Sequence, residues 1–192
     1  MDLLRPPHLV KNPQVHELCD VALSYEHGCL LLESKALSLF TRTCAPTRDD
    51  VRRALRKHVK RAVNQLRGAS VNLKRGFRVT RKTGEEVHLN REQPAHCIVL
   101  VPDLSLLDRC DEFGGRIVRR FAEETSGFLN IVDPSELRGL IRNAGWLAQQ
   151  SNHTSHLMVF DGMLLQRFKF ASRQPTADFR FRMMLVTDHA EP

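Results

Sequence analysis

The first clear pattern of apolar and polar positions is a pair of β-type segments near the start of the chain. Residues 18–25 and 29–36 are rich in apolar and aromatic side chains, and Glu26, His27 and Gly28 between them are typical of a turn. The pattern predicts an antiparallel hairpin. With a two-residue loop at Glu26 and His27, Tyr25 lies opposite Gly28.

This register places Asp20 directly opposite Glu33 and puts Lys35 on the same face of the hairpin, because alternate positions of a strand share a face. Two facing carboxylates destabilise a hairpin unless a positive charge lies between them. A divalent metal held by oxygen ligands, with a lysine alongside, removes that cost. The other face of the predicted hairpin is consistently apolar and consists of Val21, Leu23, Leu30 and Leu32.

The strongest helical pattern follows Thr47, which is expected to act as the N-cap with Asp50 near the third helical position. Apolar residues then recur at spacings of three and four, which is typical of an amphipathic helix. This stripe consists of Val51, Leu55, Val59, Ala62, Leu66, Ala69 and Leu73.

The remaining faces of the same helix are strongly basic, and no acidic residue occurs between Val51 and Arg75. Such a helix could bind phosphates, since each neutralised phosphate releases counterions, or it could be an ordinary solvated face. Both interpretations stay open. The candidates for binding nucleic acid are Arg52, Arg53, Arg56, Lys57, Lys60 and Arg61.

The rest of the chain alternates strand and helix patterns, which predicts an α/β fold with a mixed central sheet flanked by helices. Asp133 is expected to cap a helix that starts at Pro134 and ends near Ala148, with Trp146 in the core. Residues 157–170 mix helix and strand character. Further predicted elements are an exposed polar hairpin at 77–90, a buried strand at 96–103, a helix at 111–125, a buried strand at 128–132 and a final strand at 179–186.

The length of 192 residues suits one domain. We expect a single domain over residues 1–192, with a core at about 14–150 and a C-terminal appendage at 151–192.

An acidic residue on one strand and Glu-x-Lys on the next resemble the PD-(D/E)xK superfamily of restriction-endonuclease-like nucleases. The residues that carry the resemblance are Glu17, Asp20, Glu33 and Lys35, which are most similar to the nuclease-related branch with "E-x-D" followed by "(I/L)E-x-K". The resemblance implies a restriction-endonuclease-like fold and the metal-dependent hydrolysis of phosphodiester bonds. The alternative is that these charged residues are ordinary solvent-exposed side chains on an edge hairpin.

The resemblance also implies roles for individual residues. Asp20 and Glu33 would hold Mg²⁺ or Mn²⁺, and Lys35 would orient the attacking water or stabilise developing charge. In the superfamily a Gln or Lys on the next helix often completes the site, which makes Gln65 a candidate, although a core-edge glutamine bonded to backbone fits equally. Glu17 ranks below these residues, because three positions from Asp20 on a straight strand is the opposite face.

Members of the superfamily usually begin with a helix and a first strand before the Asp-bearing strand. Residues 1–15 contain Pro6, Pro7 and Pro13 and offer at most a short extended piece at 8–10. The N-terminal helix therefore is expected to be missing. A partner subunit or a homo-oligomer could complete that side of the domain.

Composition supports a polyanionic partner, because 29 Lys and Arg face 22 Asp and Glu for a formal charge of +7. DNA is favoured over RNA. The alternative function is a catalytically inactive nuclease-like module that binds nucleic acid or serves as a structural subunit. Five cysteines without a CxxC pair indicate buried thiols in a reducing compartment, and no apolar run is long enough for a membrane span, so the expected location is the cytoplasm.

Overall fold

The computed structural model describes residues 2–4, 6–11, 14–34, 47–107, 110–150 and 155–181. Short 3₁₀ turns occur at Leu104–Leu107 and Asp111–Phe113. In the described ranges, no helix has both the length and the apolar character needed to cross a membrane. The strands and helices, labelled in chain order, are β1 (Asp2–Leu4), β2 (His8–Lys11), β3 (Gln14–Glu17), β4 (Val21–Tyr25), β5 (Gly28–Ser34), α1 (Arg48–Lys74), β6 (Arg78–Thr80), β7 (Glu86–Val87), β8 (His96–Leu100), α2 (Gly115–Thr125), β9 (Phe128–Val132), α3 (Pro134–Gln150) and α4 (His156–Ala171).

The main sheet has five strands in the order β1-β4-β5-β8-β9. β1, β4 and β5 pair antiparallel, whereas β5, β8 and β9 pair parallel. The prediction of an α/β fold with a mixed sheet flanked by helices is confirmed.

Helices cover both faces of this sheet, and the alternation of side chains along each strand supplies two separate cores. On β8, Cys97 and Val99 pack into the core that contains α1 and α2, whereas Ile98 packs into the core under α3 and α4. On β5, Leu31 packs into the core with α1 and α2, and Leu30 packs into the core under α3 and α4. A central strand buried on both faces explains the uninterrupted apolar run in the sequence.

A second sheet of four strands, in the order β3-β2-β6-β7, packs against the α1 side of the main sheet. Its inner face contributes Leu9, Val79 and Val87 to the same core as α1. The polar hairpin at 77–90 is confirmed as β6 and β7, with Gly84 at φ +87° in the turn. The hairpin extends the second sheet and carries buried residues. The expectation of an exposed insertion is therefore wrong.

The N-terminal segment contains more strands than the sequence predicted. Three strands, β1, β2 and β3, precede Asp20, instead of one short extended piece at 8–10. β1 forms the edge of the main sheet beside β4. A first strand before the Asp-bearing strand is therefore present. The prolines did not prevent this, because Pro6 and Pro7 lie between β1 and β2 and not within a strand.

The expected starts of α1 and α3 are confirmed at their capping residues. The Thr47 side chain accepts a hydrogen bond from the Asp50 backbone N–H at 3.2 Å. Asp133 accepts from the Glu136 backbone N–H at 2.9 Å. Trp146, however, is 39% exposed and not a core residue, because it lies two positions off the buried stripe of α3 that includes Ala144 and Ala148.

The C-terminal segment differs most from the sequence prediction. Residues of ambiguous character form the helix α4, whose N-cap Ser155 accepts a hydrogen bond from the Met158 N–H. α4 packs on α3 and β9 and contributes to a core, where an appendage was expected at 151–192. Phe179–Phe181 are not part of a strand, and the rest of the predicted strand at 179–186 lies outside the described residues.

A buried ion pair ties α4 to its neighbours. The Arg167 side chain is 1% exposed and donates two hydrogen bonds to Glu136 on α3, at 3.0 and 2.8 Å. It also donates to the Ile131 carbonyl at 2.6 Å and to Asn130 at 3.3 Å, both on β9. The Phe181 backbone N–H donates to Glu136 at 2.8 Å, so this one guanidinium–carboxylate pair connects α3, β9, α4 and the segment after α4.

We predict that Arg167→Met lowers the free energy of unfolding by about 3–5 kcal/mol, because it leaves the Glu136 carboxylate buried without its cation. Urea unfolding measures the change. The double variant Arg167→Met/Glu136→Leu should recover part of the loss, since neither charge remains. Arg173→Ala, an exposed position just after α4, is the control. A loss below about 1 kcal/mol in the single variant contradicts a stabilising role.

A second polar cluster holds α4 against the main sheet. Asp161 on α4 accepts a hydrogen bond from the Tyr25 hydroxyl. It also lies 3.2 Å from Nε2 of His96, which is 2% exposed. Burial raises the pKa of Asp161, but the hydrogen bonds from His96 and Tyr25 outweigh it and hold that pKa below its usual value. Burial and the Asp161 contact raise the pKa of Tyr25.

The lowered pKa of Asp161 predicts an acid-sensitive contribution to stability. An Asp with a lower pKa in the folded chain contributes stability above its unfolded pKa of about 3.9, and that contribution is lost as pH falls through the folded pKa. The melting temperature of wild type should therefore exceed that of Asp161→Asn at pH 6, and the gap should shrink towards pH 3. A gap that is constant over this range contradicts the prediction.

Candidate metal centre

The hairpin of β4 and β5 has the predicted register. Tyr25 pairs with Gly28 and Val21 pairs with Leu32, so one further step places Asp20 opposite Glu33. Asp20 lies immediately before β4, and its carboxylate accepts a hydrogen bond from the Ser34 backbone N–H at 2.6 Å. This bond extends the contact between the two strands and holds the Asp20 carboxylate beside Glu33.

Glu17 joins these two residues, which corrects its sequence-based placement. Oxygen atoms of the Glu17, Asp20 and Glu33 carboxylates all lie within 4.8 Å of one another. The prediction assumed one straight strand from Glu17 to Asp20. The chain instead leaves the second sheet at the end of β3 and enters the main sheet at β4, so the alternation of faces does not continue between them.

The crossing between the sheets is fixed by burial and by one backbone hydrogen bond. Leu18 is 2% exposed, Cys19 is 0% exposed, and both belong to the core with α1. The Leu18 N–H donates to the Pro7 carbonyl at 2.8 Å. Two adjacent buried residues anchor the crossing, and the acidic residues on either side of them converge. In the sequence, the available signal for this convergence was the apolar pair Leu18 and Cys19 between two acidic residues.

The three carboxylates differ in their access to solvent. Glu17 is exposed, Asp20 is half-buried and Glu33 is 0% exposed. Glu33 shares its face of β5 with Leu31, which packs in the core with α1. Burial raises the pKa of the Cys19 thiol, and the nearby Glu33 charge raises it further. The cluster therefore runs from the protein interior to the surface.

This donor set fits a hard divalent cation. Mg²⁺ and Mn²⁺ prefer oxygen ligands, are commonly held by a few carboxylates, and keep several waters. Three clustered carboxylates supply such ligands and gain from a cation, because like charges this close repel one another. The arrangement includes Asp20 and Glu33, the two ligands predicted from the sequence, and adds Glu17.

The other two predicted site residues have different positions. Lys35 lies outside the described residues. Gln65 is half-buried in the middle of α1. Ser70 of α1 contacts Cys97 of β8, which pairs with Leu31.

That contact allows the position of Gln65 to be compared with that of Glu33 along the direction of the β5 strand. Glu33 lies two residues beyond Leu31 along β5, or about 6.6 Å, and α1 rises about 1.5 Å per residue in the opposite direction. The level of Glu33 is therefore about four or five residues before Ser70, near Gln65. Gln65 remains a predicted site residue.

The basic surface of α1 is partly neutralised by acidic partners. Lys60 lies 2.7 Å and Arg56 lies 4.0 Å from Glu112, which precedes α2. Arg52 and Arg53 lie 4.0 and 3.8 Å from Asp49 and Asp50 in the first turn of α1. Of the six candidates for binding nucleic acid, Lys57 and Arg61 form no ion pair with an acidic residue in the part of the chain that the structure describes. Binding of nucleic acid by this surface stays a prediction.

The cysteines match the expected buried thiols where the structure describes them. Cys19, Cys29, Cys97 and Cys110 are free and buried. Burial raises the pKa of Cys29 to about 11 and that of Cys97 to about 12, which makes these thiols poor nucleophiles and poor ligands near neutral pH. Cys44 lies outside the described residues.

Comparison with known proteins adds no relative to this picture. No family model matches the chain, and neither the curated proteins nor the solved structures gave a significant match. The carboxylate cluster is therefore the feature of this chain that points most directly to a function.

Proposed function

We propose that this protein is a metal-dependent nuclease of the restriction-endonuclease-like type, which hydrolyses phosphodiester bonds of DNA, or of RNA. The observation that carries the proposal is the convergence of Glu17, Asp20 and Glu33 within 4.8 Å. A bound cation would stabilise this cluster, because three carboxylates this close repel one another and Glu33 is fully buried.

The fold around the cluster supports the same proposal. The Asp-bearing segment is preceded by a strand, β1, at the edge of a mixed sheet, and it pairs antiparallel with the strand that begins the Glu-x-Lys motif. The helix α1 follows that strand and packs over the face that bears Glu33. These are features expected of the superfamily. The described residues before Asp20 contain strands and no helix, which is where the chain departs from it.

In this proposal, Asp20, Glu33 and Glu17 hold Mg²⁺ or Mn²⁺. A divalent cation supplies neutralisation of the phosphate charge and a more acidic water. The Ser34 N–H orients the Asp20 carboxylate, and burial keeps Glu33 in a surrounding where electrostatic interactions are strong. The Lys35 ammonium group stabilises developing negative charge or orients the attacking water.

Metal binding is the first prediction. Mn²⁺ should raise the melting temperature of wild type, since a ligand at about 100 times its Kd stabilises the folded state by about 2.7 kcal/mol. Glu33→Gln should abolish this shift, because it removes the buried carboxylate ligand of the cluster. The control is Glu26→Gln, at an exposed turn position of the same hairpin. An equal Mn²⁺ shift in wild type and Glu33→Gln places the ion elsewhere.

Metal-dependent cleavage is the second prediction. Purified protein should cleave labelled DNA or RNA with Mn²⁺ and not with EDTA. Glu33→Gln and Lys35→Ala should each lower the rate by about 100-fold or more, which is the usual cost of removing an electrostatic catalytic group. Glu26→Gln should retain the wild-type rate.

The outcomes separate this proposal from its alternative. Cleavage that survives both Glu33→Gln and Lys35→Ala shows a contaminant or a different site. Metal binding without cleavage of labelled DNA or RNA overturns the nuclease proposal and favours a catalytically inactive module that binds nucleic acid or serves as a structural subunit of a complex.

A further inference from the structure

The outer face of the second sheet continues directly from the carboxylate cluster. Across the strands β3, β2, β6 and β7, the register places Glu17, His8, Thr80 and Glu86 side by side in one row. Directly paired residues of antiparallel strands point to the same face. The inner face carries Leu9, Val79 and Val87 in the core, so this row lies on the outer, polar face.

A pocket of about 330 Å³ lies on this face. Six of the eight residues that line it are polar or charged, and they include three cationic side chains and one carboxylate. These polar and charged residues are His8, Arg78, Thr80, Arg81, Lys82 and Glu86. The excess of cations over carboxylates favours an anionic ligand over a neutral one.

Two cations of the pocket, Arg78 and Lys82, are well exposed. Arg78 is 65% exposed and lies 3.7 Å from Glu86, a distance too long for a strong hydrogen bond, whereas Arg81 lies 3.1 Å from Glu85 and is already paired. Lys82 is exposed beside the β6–β7 turn. Within the described residues, Nε2 of His8 has no hydrogen-bond partner although the atom is buried. A buried ring nitrogen of this kind usually has a partner, and an acceptor bound in the pocket would supply one.

The distance to the metal cluster suits a nucleic-acid strand. β3 and β6 are two strand spacings apart, which is about 10 Å. The backbone path between neighbouring phosphates of one strand is about twice the roughly 3.4 Å rise along a duplex axis, so this distance corresponds to one or two nucleotides. A strand with one phosphate at Glu17, Asp20 and Glu33 can therefore extend over His8 and place another phosphate beside Arg78 and Lys82.

We infer that the pocket lined by His8, Arg78 and Lys82 binds a backbone phosphate of the nucleic-acid strand one or two nucleotides from the cleaved bond. The inference rests on the proposed function for the nature of the ligand, a phosphodiester chain. It adds a binding subsite on the second sheet, which is a different surface from the basic face of α1.

The test is the binding of fluorescent 12-nucleotide single strands, oligothymidylate and oligouridylate, by anisotropy in EDTA. Wild type is compared with Arg78→Ala/Lys82→Ala. Loss of two phosphate contacts should lower the slope of log K against log salt by about 1.4, which corresponds to roughly 25-fold weaker binding at 0.1 M salt. Lys82→Ala alone, at an exposed turn, should show about half of the change in slope.

Two matched double variants remove the same charge elsewhere. Arg138→Ala/Arg142→Ala changes exposed residues of α3, the helix layer on the other face of the main sheet, and should bind as wild type does. Lys57→Ala/Arg61→Ala removes cations of α1. If this α1 variant loses affinity and Arg78→Ala/Lys82→Ala does not, the strand follows the helix and the inference is wrong.

The binding result is independent of the cleavage result. Loss of affinity in Arg78→Ala/Lys82→Ala without Mn²⁺-dependent cleavage by wild type supports the subsite and overturns the nuclease proposal. Cleavage by wild type together with unchanged binding by this variant supports the nuclease proposal and overturns the subsite. The comparison of the two oligonucleotides distinguishes DNA from RNA as the source of the phosphate. No measurable binding of either strand by wild type overturns the inference.

Discussion

The local structure of this protein depends on a glutamate buried in a core. Glu33 has no solvent exposure and shares a strand face with apolar residues that pack against α1. Burying a carboxylate is costly in any protein unless charge and hydrogen bonds compensate it. The site is built around this constraint, since Asp20 and Glu17 both lie beside Glu33 and form with it a group suited to a cation.

The two sheets create this group between them. One supplies Glu33 and the segment with Asp20, and the other ends at Glu17. The two residues that connect them, Leu18 and Cys19, are almost completely buried, so the crossing is held by the same apolar core that supports α1. Displacing the crossing would require both residues to leave that core. Precise placement of the exposed Glu17 thus follows from the packing of its buried neighbours.

Charge is distributed unevenly around this framework. The basic face of α1 lies beside Glu112 in the turn before α2, and on the outer face of the second sheet Arg81 pairs with Glu85 while Arg78 and Lys82 are exposed. Formal charge along the sequence therefore overstates the free charge of α1. On the other side of the main sheet, Arg167 and Glu136 use charge for a different purpose, to connect α3, α4 and β9 within the protein. The same residue types thus lie on exposed surfaces in one place and contribute to internal packing in another.

The sequence by itself determined the elements whose signals are local. Turn residues and alternation specified the hairpin register and the facing pair Asp20 and Glu33, and capping residues specified the starts of α1 and α3. It did not determine α4, because apolar residues on several sides of that helix obscure its period. Nor did it determine the position of Glu17, the exposure of Trp146 or the neutralisation of Arg56 and Lys60. Each of these depends on which distant segments pack together, and that is decided by the tertiary arrangement of two sheets and two helix layers and not by spacing along the chain.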